Sequence, residues 1–377
     1  MQKTLNIMNN SCLYIDTDIL KKNISALLAS LPEGTQLIPV LKDDAYGLGL
    51  MHIASVLASE PEINTLAVAH VSEGLELREN NNIKNILILG SALPFQLESA
   101  VKAKLTLAAG SAEFVRGLEE TAAALNIPAQ VHVKIDSGLH RIGVEPGEEL
   151  DELISVLNSA PHIIVRGVFS HFSDTSDAEL THEQYLRFLQ GVAQLEKAGY
   201  TGLLRHISSS AAHELYPQYS LDAVRIGRAL YMDSSDGVSH GIEELASWRT
   251  YITAVKMRRA GDSLGYSGAF HLEHDAKVAT IGIGYGDGLN QELCRVHAPL
   301  LIGGRLCPLL ACCMDQCFAD VSGLDCAPGD SVTVFGSDGA GGFLSSQSQA
   351  LLIGGDEGCG LTSALSPRVK RIYSDGD

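Results

Sequence analysis

Lys42 closes a short apolar run at 37–41 and is followed by Asp43, Asp44, Ala45, Tyr46 and Gly47. An amine at the end of a buried strand loses hydration, so its ammonium pKa falls and it becomes a nucleophile for Schiff-base chemistry. Other apolar runs end in comparable groups. One ends at Lys134 with Arg141 downstream, one at Ser170-His171, one at Ser208-Ser209-Ser210, and one carries Arg225, Gly227 and Arg228. Small residues and a glycine at such positions suit a phosphate, because backbone N–H groups can approach it closely. A lysine imine beside a phosphate cradle points to pyridoxal 5'-phosphate, an electron sink for amino-acid carbanions.

The elements that must position these groups follow from the pattern of the first two-thirds of the chain. Strand-like runs fall at 37–41, 65–69, 85–89, 105–109, 129–135, 163–170, 203–207 and 223–229. Stretches of helical periodicity separate them at 49–59, 72–80, 111–126, 147–159 and 179–198. Eight apolar strands alternating with helices predict an α/β fold, a (β/α)8 barrel of the TIM type, with catalytic groups at the C-terminal ends of its strands. A Ser/Asp/Gly-rich segment at 233–241 reads as a linker. Beyond it, glycine-punctuated strand-like runs at 251–257, 277–283, 299–302, 309–314 and 331–335 predict a smaller, mostly β C-terminal domain, with a polar loop at 337–348. The expected division is a barrel over 13–240 and a β domain over 241–377, which a strand within 1–12 could join.

Composition narrows the function classes. Of 377 residues, 27 are Lys or Arg and 45 are Asp or Glu, a formal net charge of −18. Such a balance argues against nucleic acid and anionic membranes, which both need clustered cations. Hydrophobic residues make up 45%, enough for a sizeable core, yet no run reaches membrane-span length. The opening residues lack a signal-peptide core, so a soluble, cytoplasmic chain is expected. Five of the eight cysteines (Cys307, Cys312, Cys313, Cys317 and Cys326) crowd the C-terminal third without a C-x-x-C pair, so no metal site is expected from them.

The motifs also carry a resemblance. Val40-Leu41-Lys42, followed by Ala45-Tyr46-Gly47 and Gly49, resembles the pyridoxal-lysine motif of bacterial alanine racemases. Val133 through Gly143 is similar to the family's second signature. Ser170-His171-Phe172, Val224 through Tyr231, Gly265-Tyr266, Ile283 through Gly288 and Cys313-Met314-Asp315 follow in the family's order. The resemblance implies a pyridoxal-phosphate enzyme interconverting L- and D-alanine, supplying D-alanine for cell-wall synthesis. In it Lys42 would hold the cofactor and act as acid/base on one face of the substrate. Tyr266, from the other subunit of a homodimer, would act on the opposite face. Tyr46, Ser210, Gly227 and Arg228 would hold the phosphate, Arg225 would face the pyridine nitrogen, and His171 would orient it. Arg141, Met314 and Tyr285 would bind substrate, and Lys134 is the position often carbamylated in the family.

Two bases flanking a planar carbanion are what racemisation requires. An arginine at the pyridine nitrogen, unlike an aspartate, withholds its proton and keeps the carbanion short-lived. The chain departs from the family pattern at Asp43-Asp44, expected to pair with basic groups, and at Ser209. It also departs near Cys359, where a phosphate-contacting tyrosine is usual. With Arg228 compensating the phosphate charge, loss of that tyrosine implies a wider pocket that admits serine or other amino acids. The alternatives are therefore a serine or broad-specificity racemase, a non-catalytic pyridoxal-phosphate-binding protein lacking a second domain, and a barrel decarboxylase.

Overall fold

The protein is described from a computed structural model covering residues 9–79, 83–232, 241–355 and 358–375. Strand β1 (Ser11–Ile15) leads into a helix at Thr17–Ser30, which Asp16 starts by accepting from the N–H groups of Asp18 and Ile19. Eight short strands follow: β2 (Gln36–Pro39), β3 (Thr65–Val68), β4 (Asn85–Ile88), β5 (Thr106–Ala109), β6 (Ala129–Lys134), β7 (Ile163–Phe169), β8 (Leu204–His206) and β9 (Ala223–Ile226). Strands β3 to β8 form one parallel ladder and β2 pairs with β9 in parallel. The ring is completed by Leu41 N–H donating to Ala67 O at 2.8 Å and Arg225 N–H donating to Ser208 O at 3.0 Å. These are the eight strands expected of the barrel, and all but β7 and β8 are buried along most of their length, as a parallel sheet covered by helices requires.

Alternation along the strands sorts two kinds of side chain. Val131, Val133, Ile135, Ile207, Val224 and Ile226 face outward into the helix-covered core. Inside the ring, Ile38, Val40, Ala67, Leu87 and Ala223 form a separate apolar cluster on the β2–β4 side. The inward positions of β6, β8 and β9 carry His132, Lys134, His206 and Arg225, all buried. The barrel interior is therefore half apolar and half polar, and the polar half sits under the strand ends.

The second domain is a nine-stranded sheet. It contains β10 (Ala246–Arg258), β13 (Ala276–Ile281), β14 (Pro299–Ile302), β15 (Arg305–Cys312), β16 (Cys317–Asp320), β17 (Ser331–Ser337), β18 (Phe343–Leu344) and β19 (Lys370–Tyr373), together with β1. A two-stranded hairpin, β11 (Ser263–Leu264) and β12 (Phe270–His271), projects from it. Because β17 also pairs with β10, six strands close on themselves around a core of residues such as Val332, Val334, Leu300 and Ile281.

Several sequence expectations shift here. Strand β1 pairs antiparallel with β10 and parallel with β19 as far as Ile15, so residues 13–15 belong to the C-terminal sheet and not to the barrel. Strand β10 begins five residues earlier than the periodicity suggests, and β19 had no strand signal of its own. The polar loop expected at 337–348 contains β18 and the first turn of a helix at Ser346–Leu352. Most of the expected linker, residues 233–240, and Asn80 at the end of an expected helix lie outside the described residues. Among the described residues no helix is long and apolar enough to cross a membrane.

Candidate active site

A cavity of about 490 Å³ opens at the C-terminal ends of the barrel strands. Lys42, Tyr46, Lys134, Arg141, His171, Ser210, Arg225, Gly227 and Arg228 all line it, so nine of the twelve site residues expected from sequence converge on one space. The apolar wall comes from Val40, Leu89 and Phe169.

Lys42 sits at the start of an unusual turn. Asp43, Asp44, Ala45 and Tyr46 all have φ between 53° and 58°, four successive non-glycine residues in left-handed helical conformation. Left-handed geometry costs an L-residue roughly 1–2 kcal/mol because Cβ crowds the following carbonyl. The turn is held by specific bonds: Asp43 N–H donates to Glu73 Oε1 at 2.6 Å, Ala45 N–H to Leu41 O at 3.0 Å, and Gly49 N–H to Asp44 O at 2.9 Å. Asp44 Oδ1 accepts from Leu50 N–H at 2.7 Å, at the first turn of the helix Leu50–Ala58. The two aspartates were expected to pair with cations; among the described residues they form no ion pair, and Asp44 serves the helix start instead. Lys42 itself is exposed and its Nζ lies 5.6 Å from the Tyr46 ring centre. The desolvation expected at Lys42 falls on Lys134, which is 3% exposed.

Burial is the first cause that pulls Lys134 well below the usual lysine range, with the Arg225 and Arg141 charges adding and Asp136 opposing. Its Nζ lies 4.5 Å from the Phe169 ring centre, a face that attracts a cation and so opposes the downward pull of burial. Arg225 is fully enclosed. It donates to His206 Nδ1 (2.8 Å), His171 Nδ1 (3.1 Å) and the carbonyls of His206, Ser170 and Ile207. Burial, then Arg141, lowers its pKa to about 9, so it keeps its proton at neutral pH.

The arginine fixes the histidine tautomers. His206 and His171 are pushed well below the imidazole range, by burial first and then by Arg225, so both are neutral. A neutral ring that accepts at Nδ1 carries its proton on Nε2. His206 Nε2–H therefore donates to His132 Nδ1 at 2.8 Å. His132 is likewise neutral, lowered to about 3 by burial and Arg225. His132 and His206 are not among the residues that strand ends alone single out. The signal was parity: His132 lies two residues before Lys134 and shares its inward face.

Ser210, Gly227 and Tyr46 form a donor-lined corner. Gly227 N–H reaches Ser210 Oγ at 3.3 Å and Ala229 N–H reaches it at 3.4 Å. A Cβ at Gly227 would meet Tyr46 Oη at 2.1 Å, so only glycine lets the phenol lie against the backbone there. Two hydroxyls and backbone N–H groups held only by long bonds to Ser210 make a corner suited to a phosphate. Arg228, which lines the cavity, lies 3.3 Å from Glu214, both buried, so its charge is shared with a carboxylate. Cys359 does not line the cavity; it is buried at the start of the helix Cys359–Ser363.

Tyr266, Tyr285 and Met314 do not line this cavity. Tyr266 is 66% exposed in a turn after β11, and Met314 is 49% exposed. Tyr285 and Met314 share a rim: Tyr285 N–H donates to Cys313 O at 3.1 Å and Gly286 N–H to Met314 O at 2.9 Å. All eight cysteines are free thiols.

Residues 15–235 match the model of the alanine racemase N-terminal domain, and residues 245–373 match that of the C-terminal domain. The chain belongs to the alanine racemase family. An alanine racemase of Clostridium tetani is 32% identical over 367 residues, covering 95% of this chain and 94% of the relative. The solved alanine racemase of Clostridium difficile 630 superposes with a TM-score of 0.89 at 31% identity, covering 98% of this chain and 96% of that one. The Bacillus anthracis alanine racemase, solved with bound L-Ala-P, gives 0.90 at 26% identity over 98% of this chain and 96% of that one. Membership in this isomerase family disfavours the serine-racemase, carrier and decarboxylase alternatives.

Proposed function

We propose that this chain interconverts L- and D-alanine, with pyridoxal 5'-phosphate as cofactor and with active sites shared in a homodimer. The observation that carries the reading is the convergence of Lys42, Arg225 and the Ser210–Gly227–Tyr46 corner on one cavity. The residues fit the cofactor: an amine for its aldehyde, hydroxyl and N–H donors for its phosphate, and a glycine that leaves the corner open. When bound, the cofactor supplies a sink for the electrons left on the substrate α-carbon.

The chain's own groups divide the remaining work. Lys42 Nζ takes or returns the α-proton on one face of the substrate. Arg225 offers the pyridine side a cation that keeps its proton at neutral pH, held in place by five acceptors. Such a group limits delocalisation and favours prompt return of the proton over side reactions. His171 orients Arg225 through its 3.1 Å bond. Arg141, at the cavity wall, is the cation for the substrate carboxylate, and Tyr285 and the Met314 backbone, which lie outside their own chain's cavity, would join it from a neighbouring copy. Lys134, whose burial beside Arg225 and Arg141 pulls its pKa well below the usual lysine range, is suited to carbamylation: its amine adds to carbon dioxide and releases a proton, which would place an anion beside Arg141 and Arg225.

One cavity contains one such base, whereas racemisation needs one on each face. Tyr266, exposed on the other domain and outside its own chain's cavity, is suited to supply the second base to a neighbouring copy. A chiral assay of the purified chain on L-alanine tests the function. Conversion toward the racemate that depends on added pyridoxal 5'-phosphate is expected; retention of L-alanine with the cofactor present would contradict it.

A further inference from the structure

The C-terminal tail reaches across the domain boundary to the turn that carries Lys42. Tyr373 Oη donates to Leu48 O at 2.8 Å, and Arg371 Nε donates to Gly47 O at 2.9 Å. Arg371 is anchored in turn by the carbonyls of Leu365, Ser366 and Val369. The Tyr373 ring stacks on His52, with centroids 3.6 Å apart and planes 5° from parallel. His52 Nε2 also meets Asp375 Oδ1 at 3.0 Å. The approach is close enough to dictate sequence on the barrel side. A Cβ at Gly49 would lie 1.9 Å from Tyr373 Oη, and one at Gly47 would lie 2.2 Å from Thr362 O.

We propose that Arg371 and Tyr373 are positioning residues that clasp the exit of the left-handed turn and so fix Lys42 and Tyr46 for the cofactor. The turn spends conformational energy at four successive residues and is followed directly by the two carbonyls that the tail binds. A strained segment persists only where its surroundings over-determine it, and these donors come from an element already stapled into the C-terminal sheet through β1. The role toward the cofactor rests on the function proposed above; the ordering of the turn does not.

The test is amide exchange of residues 42–50 in the full-length chain, paired with pyridoxal 5'-phosphate titration of the same variants. Tyr373→Phe removes one neutral donor, and roughly three- to ten-fold faster exchange and a similar loss of cofactor affinity are expected. Arg371→Met should act in the same direction. Gly49→Ala should loosen the turn further, and Gly49→Ala combined with Tyr373→Phe should regain part of that loss, since the nearest ring atom then lies 3.2 Å away. A merely structural residue would not be rescued by removing an oxygen from its partner.

Unchanged exchange at 42–50 in Tyr373→Phe, or a double variant no better than Gly49→Ala alone, would overturn the clasp. Faster exchange with unaltered cofactor affinity would overturn its positioning role. If the unsubstituted chain takes up no cofactor, the functional reading falls, and the exchange comparison decides the clasp by itself.

Discussion

Single residues in this site are understood through what burial does to their charge. His132, His171 and His206 are neutral in the folded chain and each has an unfolded pKa near 6.5. Below that value the unfolded state binds more protons than the folded one, so stability is lost as pH falls from about 6.5 toward the folded values. Each such histidine contributes a slope of up to about 1.4 kcal/mol per pH unit. Urea unfolding between pH 7 and 5 should therefore be less pH-sensitive in His132→Gln than in the parent, and equal sensitivity would contradict neutral burial. Lys134 follows the same logic with a chemical outcome. Incubation with carbon-13 bicarbonate should give a carbamate signal that disappears in Lys134→Met. Of these groups, Lys42 and Lys134 could be recognised in the sequence because each closes an apolar run, Arg141 because it follows one, and Arg225 because it lies within one. His132 is visible only when the inward parity of Lys134 is followed backward along β6, and His206, which closes β8, has no predicted site residue on its own strand to count from.

At the scale of elements, the barrel strands were legible because parallel strands covered on both sides must be short and apolar throughout. A joining N-terminal strand was expected within 1–12, whereas β1 spans Ser11–Ile15. Strand β19 was not legible, because it lies at the edge of a mixed sheet and pairs residues as distant as Cys12 and Lys370. No local pattern announces such a pairing. The left-handed turn after Lys42 was equally hidden, since non-glycine residues rarely adopt it and its bonds come from Glu73 and Leu41. Asp44 gains its meaning only from this turn, where it caps the following helix. Asp44→Ala should lower stability by about 1 kcal/mol in urea titration, with Asp44→Asn losing less. Gly227→Ala makes a sharper separation. The added methyl collides with Tyr46 Oη, so pyridoxal 5'-phosphate affinity should fall by at least about ten-fold while the far-ultraviolet dichroism stays native. An unaltered affinity would show that the corner does not hold the phosphate.

At the scale of the whole molecule, the groups proposed for catalysis are divided between a cavity of the barrel and exposed positions of the second domain. Lys42 lines the cavity, while Tyr266 and Met314 face outward from the C-terminal sheet. This division is intelligible when a second copy brings its rim to the first copy's cavity, in the reciprocal manner of a two-fold dimer. Lys42→Ala should abolish turnover, and Tyr266→Phe should suppress it strongly. In a heterodimer of the two variants, one cavity lacks both groups, whereas the other pairs an intact Lys42 with the intact Tyr266 of its neighbour. The most direct measurement is therefore alanine racemisation by the two variants co-expressed and purified together, beside each variant alone. Shared sites require activity to return to roughly a quarter of the parent value, half the dimers being mixed and each mixed dimer having one complete site. A co-expressed pool no more active than its separate components, with mixed dimers present, would contradict a Lys42–Tyr266 site shared between subunits.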